Sequence, residues 1–202
     1  MLSKLIATVC SLLFVIGSIS VRAGDYEDAE HSYSTERYAN ALIKYKRAAA
    51  DGHAAAQVKL GIMYKKGQGV TQDYSEAARW FRLAADQGDA TGQLNLGAMY
   101  NNGNGVPRDI REAVKWYRLA AAQGNVDAWF NLSICYEYGN GVPQNYLRAH
   151  MWANLAAATS PSPSEILSTS RDLIAKKMTQ QQIAEAQRMA KACEARKYKG
   201  CE

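Results

Sequence analysis

GHAAAQVKLGIMYKKGQGVTQDYSEAARWFRLAADQ, residues 52–87, is followed at once by GDATGQLNLGAMYNNGNGVPRDIREAVKWYRLAAAQ, residues 88–123. Both open on a glycine (Gly52, Gly88) and carry a Leu-Gly-x-x-Tyr run, Leu60 to Tyr64 and Leu96 to Tyr100. A Gly-x-Gly-Val loop follows (Gly67 to Val70, Gly103 to Val106), then an Ala-x-x-Trp pair (Ala77 and Trp80, Ala113 and Trp116). A third copy starts at Gly124 and holds Leu132, Tyr136, Gly139-x-Gly141-Val142, Ala149, Trp152 and Leu155-Ala156-Ala157, so the spacing is 36 residues throughout. A fixed period of this length means stacked units, none of which buries its apolar face alone.

Each unit divides into two expected helices. Helix A runs about Ala54 to Lys65, Ala90 to Asn101 and Val126 to Tyr138. Helix B runs about Asp73 to Asp86, Asp109 to Ala122 and Asn145 to Ala158. Asp73, Asp109 and Asn145 suit the N-cap, where a side-chain oxygen accepts free amide hydrogens. Gly67, Gly103 and Gly139 fall where helix A stops and supply the positive φ of a C-cap. The second glycine of each loop, with Pro107 or Pro143 after it, sets a turn of defined shape. Gly61, Gly97 and Ser133 are small to let helix B approach helix A, and Trp80, Trp116 and Trp152 are expected to fill the space between. Truncating such a tryptophan to alanine would leave a cavity worth about 3–5 kcal/mol.

Working outward, residues 24–51 form a terminal half-repeat. Asp25 to Ser34 reads as a short frayed helix or an extended lead-in, and Thr35 to Asp51 as a capping helix. Beyond Ala158, Ser160-Pro161-Ser162-Pro163 breaks the pattern. Ser162 or Ser164 can cap a helix through about Lys177, and Thr179 with Gln182 makes a capping box for a last helix to Ala195. That helix presents Ile183, Ala186, Gln187 and Ala190 on one face. The organisation is therefore 1–23 leader, 24–51 cap, 52–87, 88–123 and 124–158 repeats, 159–195 C-terminal cap, and 196–202 basic tail.

The leader begins with Lys4, continues through an apolar run from Leu5 to Ser20, and ends Val21-Arg22-Ala23, small residues at −3 and −1 of a cleavage site. This is the pattern of a secretory signal peptide cut after Ala23. The run is short for a membrane span of about 20 residues. The expected location of the mature protein is periplasmic or secreted, where disulfides persist. The whole chain carries net charge +5, which falls to +3 with the leader, because Lys4 and Arg22 leave and residues 1–23 hold no Asp or Glu. The remaining basic residues are dispersed, which argues against a nucleic-acid partner.

The run Leu-Gly-x-x-Tyr, Gly-x-Gly-Val, Ala-x-x-Trp-Phe/Tyr-x-x-Ala-Ala-x-x-Gly resembles the Sel-one-like repeat (SLR), a longer-looped relative of the tetratricopeptide repeat, over about Tyr38 to Ala158. The ending Lys177-Met178-Thr179, then Gln182-Ile183-Ala184-Glu185-Ala186-Gln187, is similar to that of bacterial secreted members. The resemblance implies an all-α, right-handed α-solenoid that binds other proteins in extracytoplasmic signalling or assembly. The cysteine pair per repeat carried by one branch of the family is absent from this chain.

No catalytic, cofactor or metal constellation stands out. His31, His53 and His150 are isolated, with no His-Glu-x-x-His, and the paired glycines lack the Lys-Ser/Thr of a phosphate loop. His53 reads as a solvated loop residue and His150 as a partly buried packing residue on helix B. Two function classes follow: a non-catalytic module that binds a protein or peptide, or a cell-wall or glycan-processing enzyme or its accessory factor. The enzyme needs a carboxylate pair or activated nucleophile converging in a cleft. The module needs only an exposed groove.

By analogy with tetratricopeptide units, helix A lines the concave side. Its core stripe then turns Val58, Ile62, Lys65 and Lys66 outward in the first copy, Leu94, Ala98, Asn101 and Asn102 in the second, and Phe130, Ile134, Glu137 and Tyr138 in the third. This face is expected to run from basic through amide to acidic and aromatic, over an apolar floor of Val58, Leu94 and Phe130. It suits a peptide with apolar anchors and an acidic residue near the first repeat. The alternative is that the floor residues pack among A helices and meet no partner. Among the cysteines, Cys135 reads as a buried inert thiol. Cys193 and Cys201 are the expected disulfide, against a loose tail with a reducible Cys201.

Overall fold

A computed structural model describes residues 24–159 and 165–201. The expected leader lies outside them, as do Ser162 and Ser164. Every regular element among the described residues is an α-helix. α1 covers residues 24–34. It is followed by α2 Tyr38–Ala50, α3 Ala54–Lys66, α4 Tyr74–Asp86, α5 Ala90–Asn102 and α6 Ile110–Ala121. Then come α7 Val126–Tyr138, α8 Tyr146–Thr159, α9 Glu165–Ala175 and α10 Gln180–Ala195.

The repeat loops work as their residues dictate. Gly67, Gly103 and Gly139 are left-handed C-caps with φ of 70°, 72° and 72°. Asp73 Oδ1 accepts from the amides of Ser75 and Glu76 at 2.8 and 3.0 Å, and Asp109 and Asn145 accept from Glu112 and Arg148 at 3.0 Å each. A further donor per loop ties off the end of helix A: Gln72, Arg108 and Gln144 donate to the carbonyls of Lys65, Asn101 and Glu137 at 2.8, 3.0 and 2.8 Å. The second glycine does more than shape a turn. A Cβ on Gly69 would stand 2.6 Å from the Tyr38 carbonyl carbon, and one on Gly141 would stand 2.7 Å from the Ile110 carbonyl oxygen. Each loop thus lies against the first residue of the preceding B-type helix, which any side chain would block.

The residues group into two units, 1–80 and 81–202, with the boundary inside α4. In the first unit, α1 is a full packing element and not a frayed lead-in. Ala29 is wholly buried beside Ala41, Tyr45, Leu60 and Met63. The buried Tyr45 hydroxyl donates to Glu30 Oε1 at 2.6 Å, and Lys59 reaches the same carboxylate at 2.9 Å, so one acid ties α1 to α2 and α3. Burial pushes the Glu30 carboxyl up, but the hydrogen bonds from Tyr45 and Lys59 outweigh it and leave the group below its ordinary value. His53 is exposed in the loop before α3, as expected, and it also makes local contacts. Its Nδ1 accepts from the Ala56 amide at 3.3 Å as the N-cap of α3, and its ring stacks on Tyr26 at 4.4 Å.

In the second unit, α5, α6, α7 and α8 pack in sequence, and α9 and α10 both lie on α8. A Cβ on Gly97 would meet the Tyr117 ring at 2.7 Å, the close approach that the small residue was expected to allow. The tryptophans do not all fill the core. Trp152 is buried, but Trp80 and Trp116 are half-buried, and the residues after them, Phe81 and Tyr117, are the ones sealed in. The 3.6-residue period puts both positions near the core boundary, and the smaller ring takes the interior. Trp129 stands where the earlier copies have Gln57 and Gln93. All three use a side-chain N–H to hold a carbonyl eight residues back, at Ala49, Ala85 and Ala121, with distances of 3.2, 3.3 and 3.0 Å.

α10 begins with the expected capping box of Thr179 and Gln182. Its inner face holds Ala186, Ala190 and Cys193, while Gln187 is exposed. The segment after it turns back on the core. Cys193 and Cys201 are joined as a disulfide with a Cα–Cα distance of 5.2 Å, Cys201 is 5% exposed, and the Tyr198 ring lies 4.7 Å from that of Trp129. Cys135 is buried and free, and burial pushes its thiol up to about 11.

Candidate partner-binding face

The outward positions of the A helices behave differently from copy to copy. In the first unit Val58 is 5% exposed, so it is core and no part of an open floor. Ile62 and Lys65 are half-buried and Lys66 is exposed. In the second unit Leu94 and Phe130 are half-buried and packed against the core cluster. Ala98, Asn101 and Ile134 are also half-buried, while Asn102 and Tyr138 are exposed. The buried Val58 and half-buried Leu94 follow the packing alternative, in which apolar residues at helical spacing belong to the core.

Glu137 corrects the charge reading. It is 6% exposed, and Lys177 donates to its Oε1 at 2.8 Å. The same ammonium lies 5.5 Å over the Tyr138 ring and 5.6 Å over the Tyr146 ring. The hydrogen bond to Glu137 holds the lysine above its ordinary value. The expected acidic end of the face is therefore neutralised by a residue 40 positions away, between α9 and α10. Nothing local in the Glu137-Tyr138 pair could reveal that partner.

What the structure does bring together is the third copy. Phe130, Ile134, Glu137 and Tyr138 line one wall of a hollow of about 540 Å³. The other wall is α9: Glu165, Ile166, Thr169, Ser170 and Leu173. Tyr138, Ile166 and Leu173 are 62%, 71% and 49% exposed. The α9 residues escaped the sequence reading because α9 belongs to no repeat. Their spacing, with Ile166 and Leu173 seven apart, was the available signal of an apolar stripe. Of the two carboxylates here, Glu137 is taken by Lys177. No cluster of His, Cys, Asp and Glu suited to a metal occurs among the described residues.

Each A helix also anchors its tyrosine through a cation. Lys46 lies 5.6 Å over the Tyr64 ring in the first unit. In the second, Arg82 donates to the Tyr100 hydroxyl, and Arg118 and Arg148 donate to that of Tyr136 at 2.9 and 3.2 Å. Lys46, Arg82 and Arg118 recur at the 36-residue period, so this pairing was legible as a repeat position.

Two solved structures resemble this arrangement. One is a Sel1 repeat protein from Oxalobacter formigenes, with a TM-score of 0.71 and 32% identity over 85% of this chain and 69% of that one. The other is a protective antigen with an SLR fold present in uropathogenic Escherichia coli strains, with a TM-score of 0.58 and 26% identity over 79% of this chain and 42% of that one. No curated protein matches the chain. The Sel1 repeat model matches residues 54–89, 90–125 and 126–158, the three copies shifted by two residues from the phase used above. With its helix pairs, its αL-glycine loops and these likenesses, the chain is an all-α repeat solenoid and belongs to the Sel1-repeat family.

Proposed function

We propose that the protein is a non-catalytic scaffold that works outside the cytoplasm and binds a partner protein or peptide through the outward face of its A helices, in envelope signalling or assembly. Sel1 repeats mediate protein–protein interaction and are non-catalytic as a rule, which supports the general reading. The observation that carries the specific one is the hollow bordered by Phe130, Ile134 and Tyr138, where apolar side chains stay open to solvent. Apolar surface gathered in one place marks an interaction site more often than scattered exposure does. The leader pattern at residues 1–23 supports export, and among the described residues no helix is long and apolar enough to cross a membrane.

Two experiments test this. The mature protein is immobilised and envelope extract passed over it. A protein retained by the wild type and lost with Tyr138→Ala supports the reading, and equal retention by both removes the A-helix face from it. N-terminal sequencing of the exported protein is expected to begin at Gly24. A product that keeps Met1 and fractionates with membranes refutes the export argument.

A further inference from the structure

We propose that the hollow between α7 and α9 docks one amphipathic helical segment of a partner protein, with a basic residue of that segment set against Glu165. This rests on the scaffold reading above and names the chemistry of its partner. Three of the seven exposed large apolar residues among those described, Tyr138, Ile166 and Leu173, border this single hollow. Ile166 and Leu173 lie seven residues apart, two turns along one face of α9. The α9 wall of the hollow, Glu165 to Leu173, is about 12 Å long at 1.5 Å per residue, which matches a little over two turns of a partner helix. Such a helix seats apolar side chains at i, i+4 and i+7 in a groove of this kind.

Charge complementarity selects among such helices. Glu137 is buried and held by Lys177, so it offers nothing to a ligand. Glu165 is exposed and has no ion-pair partner among the described residues. A partner helix with a lysine or arginine at that end gains a pair at the rim, and one with an acid there meets like charge. The acidic partner residue expected from sequence belongs to the first repeat; the basic one proposed here belongs to the third, where Glu165 takes the place expected of Glu137. The site lies at the junction of the third repeat with α9, because α9 supplies the second wall of the hollow.

The test uses the full mature protein and a fluorescent helical peptide with leucines at i, i+4 and i+7 and two lysines at one end, alongside a twin with glutamates in place of the lysines. Fluorescence polarisation is expected to show the lysine peptide binding at least about tenfold tighter than its twin. Ile166→Ser and Leu173→Ser are each expected to weaken it at least about tenfold, as loss of a groove anchor does. Both positions are solvent-exposed, so circular dichroism is expected to stay unchanged. Glu165→Lys is expected to reverse the preference between the two peptides. Equal affinity for both, indifference to Leu173→Ser and Glu165→Lys, or no saturable binding up to about 100 μM overturns the proposal. So does a concentration-dependent dimer in sedimentation that Leu173→Ser abolishes, which assigns the hollow to a second copy. A partner captured from extract equally by wild type and Leu173→Ser refutes this docking site but leaves the scaffold reading standing. Capture of nothing by either refutes both.

Discussion

Replacing Gly97 with alanine sets two effects against each other, and the structure decides between them. Gly97 lies inside α5 with no positive φ, so the backbone accepts alanine. Alanine improves an interior helix position by about 1 kcal/mol over glycine. Against this, the new Cβ would stand 2.7 and 2.8 Å from Cε1 and Cδ1 of Tyr117 and 3.2 Å from the Ala113 carbonyl oxygen. Overpacking of a core costs about 1–3 kcal/mol. Tyr117 is 3% exposed, so its ring has no open side to swing toward, and the clash is expected to prevail by about 1–2 kcal/mol. The third copy supplies the complementary case within the same chain: Ser133 replaces the glycine, and Ala153 replaces the ring. Gly97→Ala is therefore expected to become stabilising, by about 1 kcal/mol, once Tyr117→Ala removes the ring. Urea unfolding followed by circular dichroism, run on both single variants and the double, measures a coupling of about 2–3 kcal/mol. The reasoning is refuted if Gly97→Ala stabilises the wild type, or if its effect is the same with and without the Tyr117 ring.

Three further outcomes are expected. His150 is buried on α8 with an unpaired Nδ1; burial lowers its pKa, Arg171 adds to this and Asp172 opposes it. The unfolded chain then binds more protons, so stability is full above about pH 6.5 and falls as the pH drops toward the folded value; His150→Leu is expected to flatten that part of the stability profile, and an unchanged slope counts against the assignment. Cys135, buried and with its thiol pushed up to about 11, is expected to resist iodoacetamide at pH 8 until urea opens the fold; mass spectrometry showing native labelling contradicts this. Non-reducing peptide mapping is expected to recover Cys193 linked to Cys201. Closing a loop of 8 residues limits the unfolded chain by about 2.5 kcal/mol, so reduction should lower the unfolding midpoint and change the fluorescence of Trp129 as Tyr198 departs. Unaltered emission and midpoint show that the tail holds without the bond.

The period of 36 residues was enough to place six helices within a residue or two, because spacing, caps and glycine loops are local chemistry written three times over. The same register hid α1. Its link to α2 is only residues 35–37, whereas the repeats use residues 67–73 in the matched place, so α1 falls out of phase with the helices it imitates. Within the A helices, periodicity identified which side of Val58, Leu94, Phe130 and Glu137 faces away from the core stripe. It could not say what covers that side. Val58 is sealed in, Glu137 is met by Lys177 from 40 residues away, and Phe130 is left beside a trough whose second wall belongs to no repeat. Secondary structure is settled by neighbours in sequence, and those are legible in one chain. Exposure and charge pairing are settled by neighbours in space, and for the third copy those neighbours come from the C-terminal helices, whose order and packing only the tertiary structure determines.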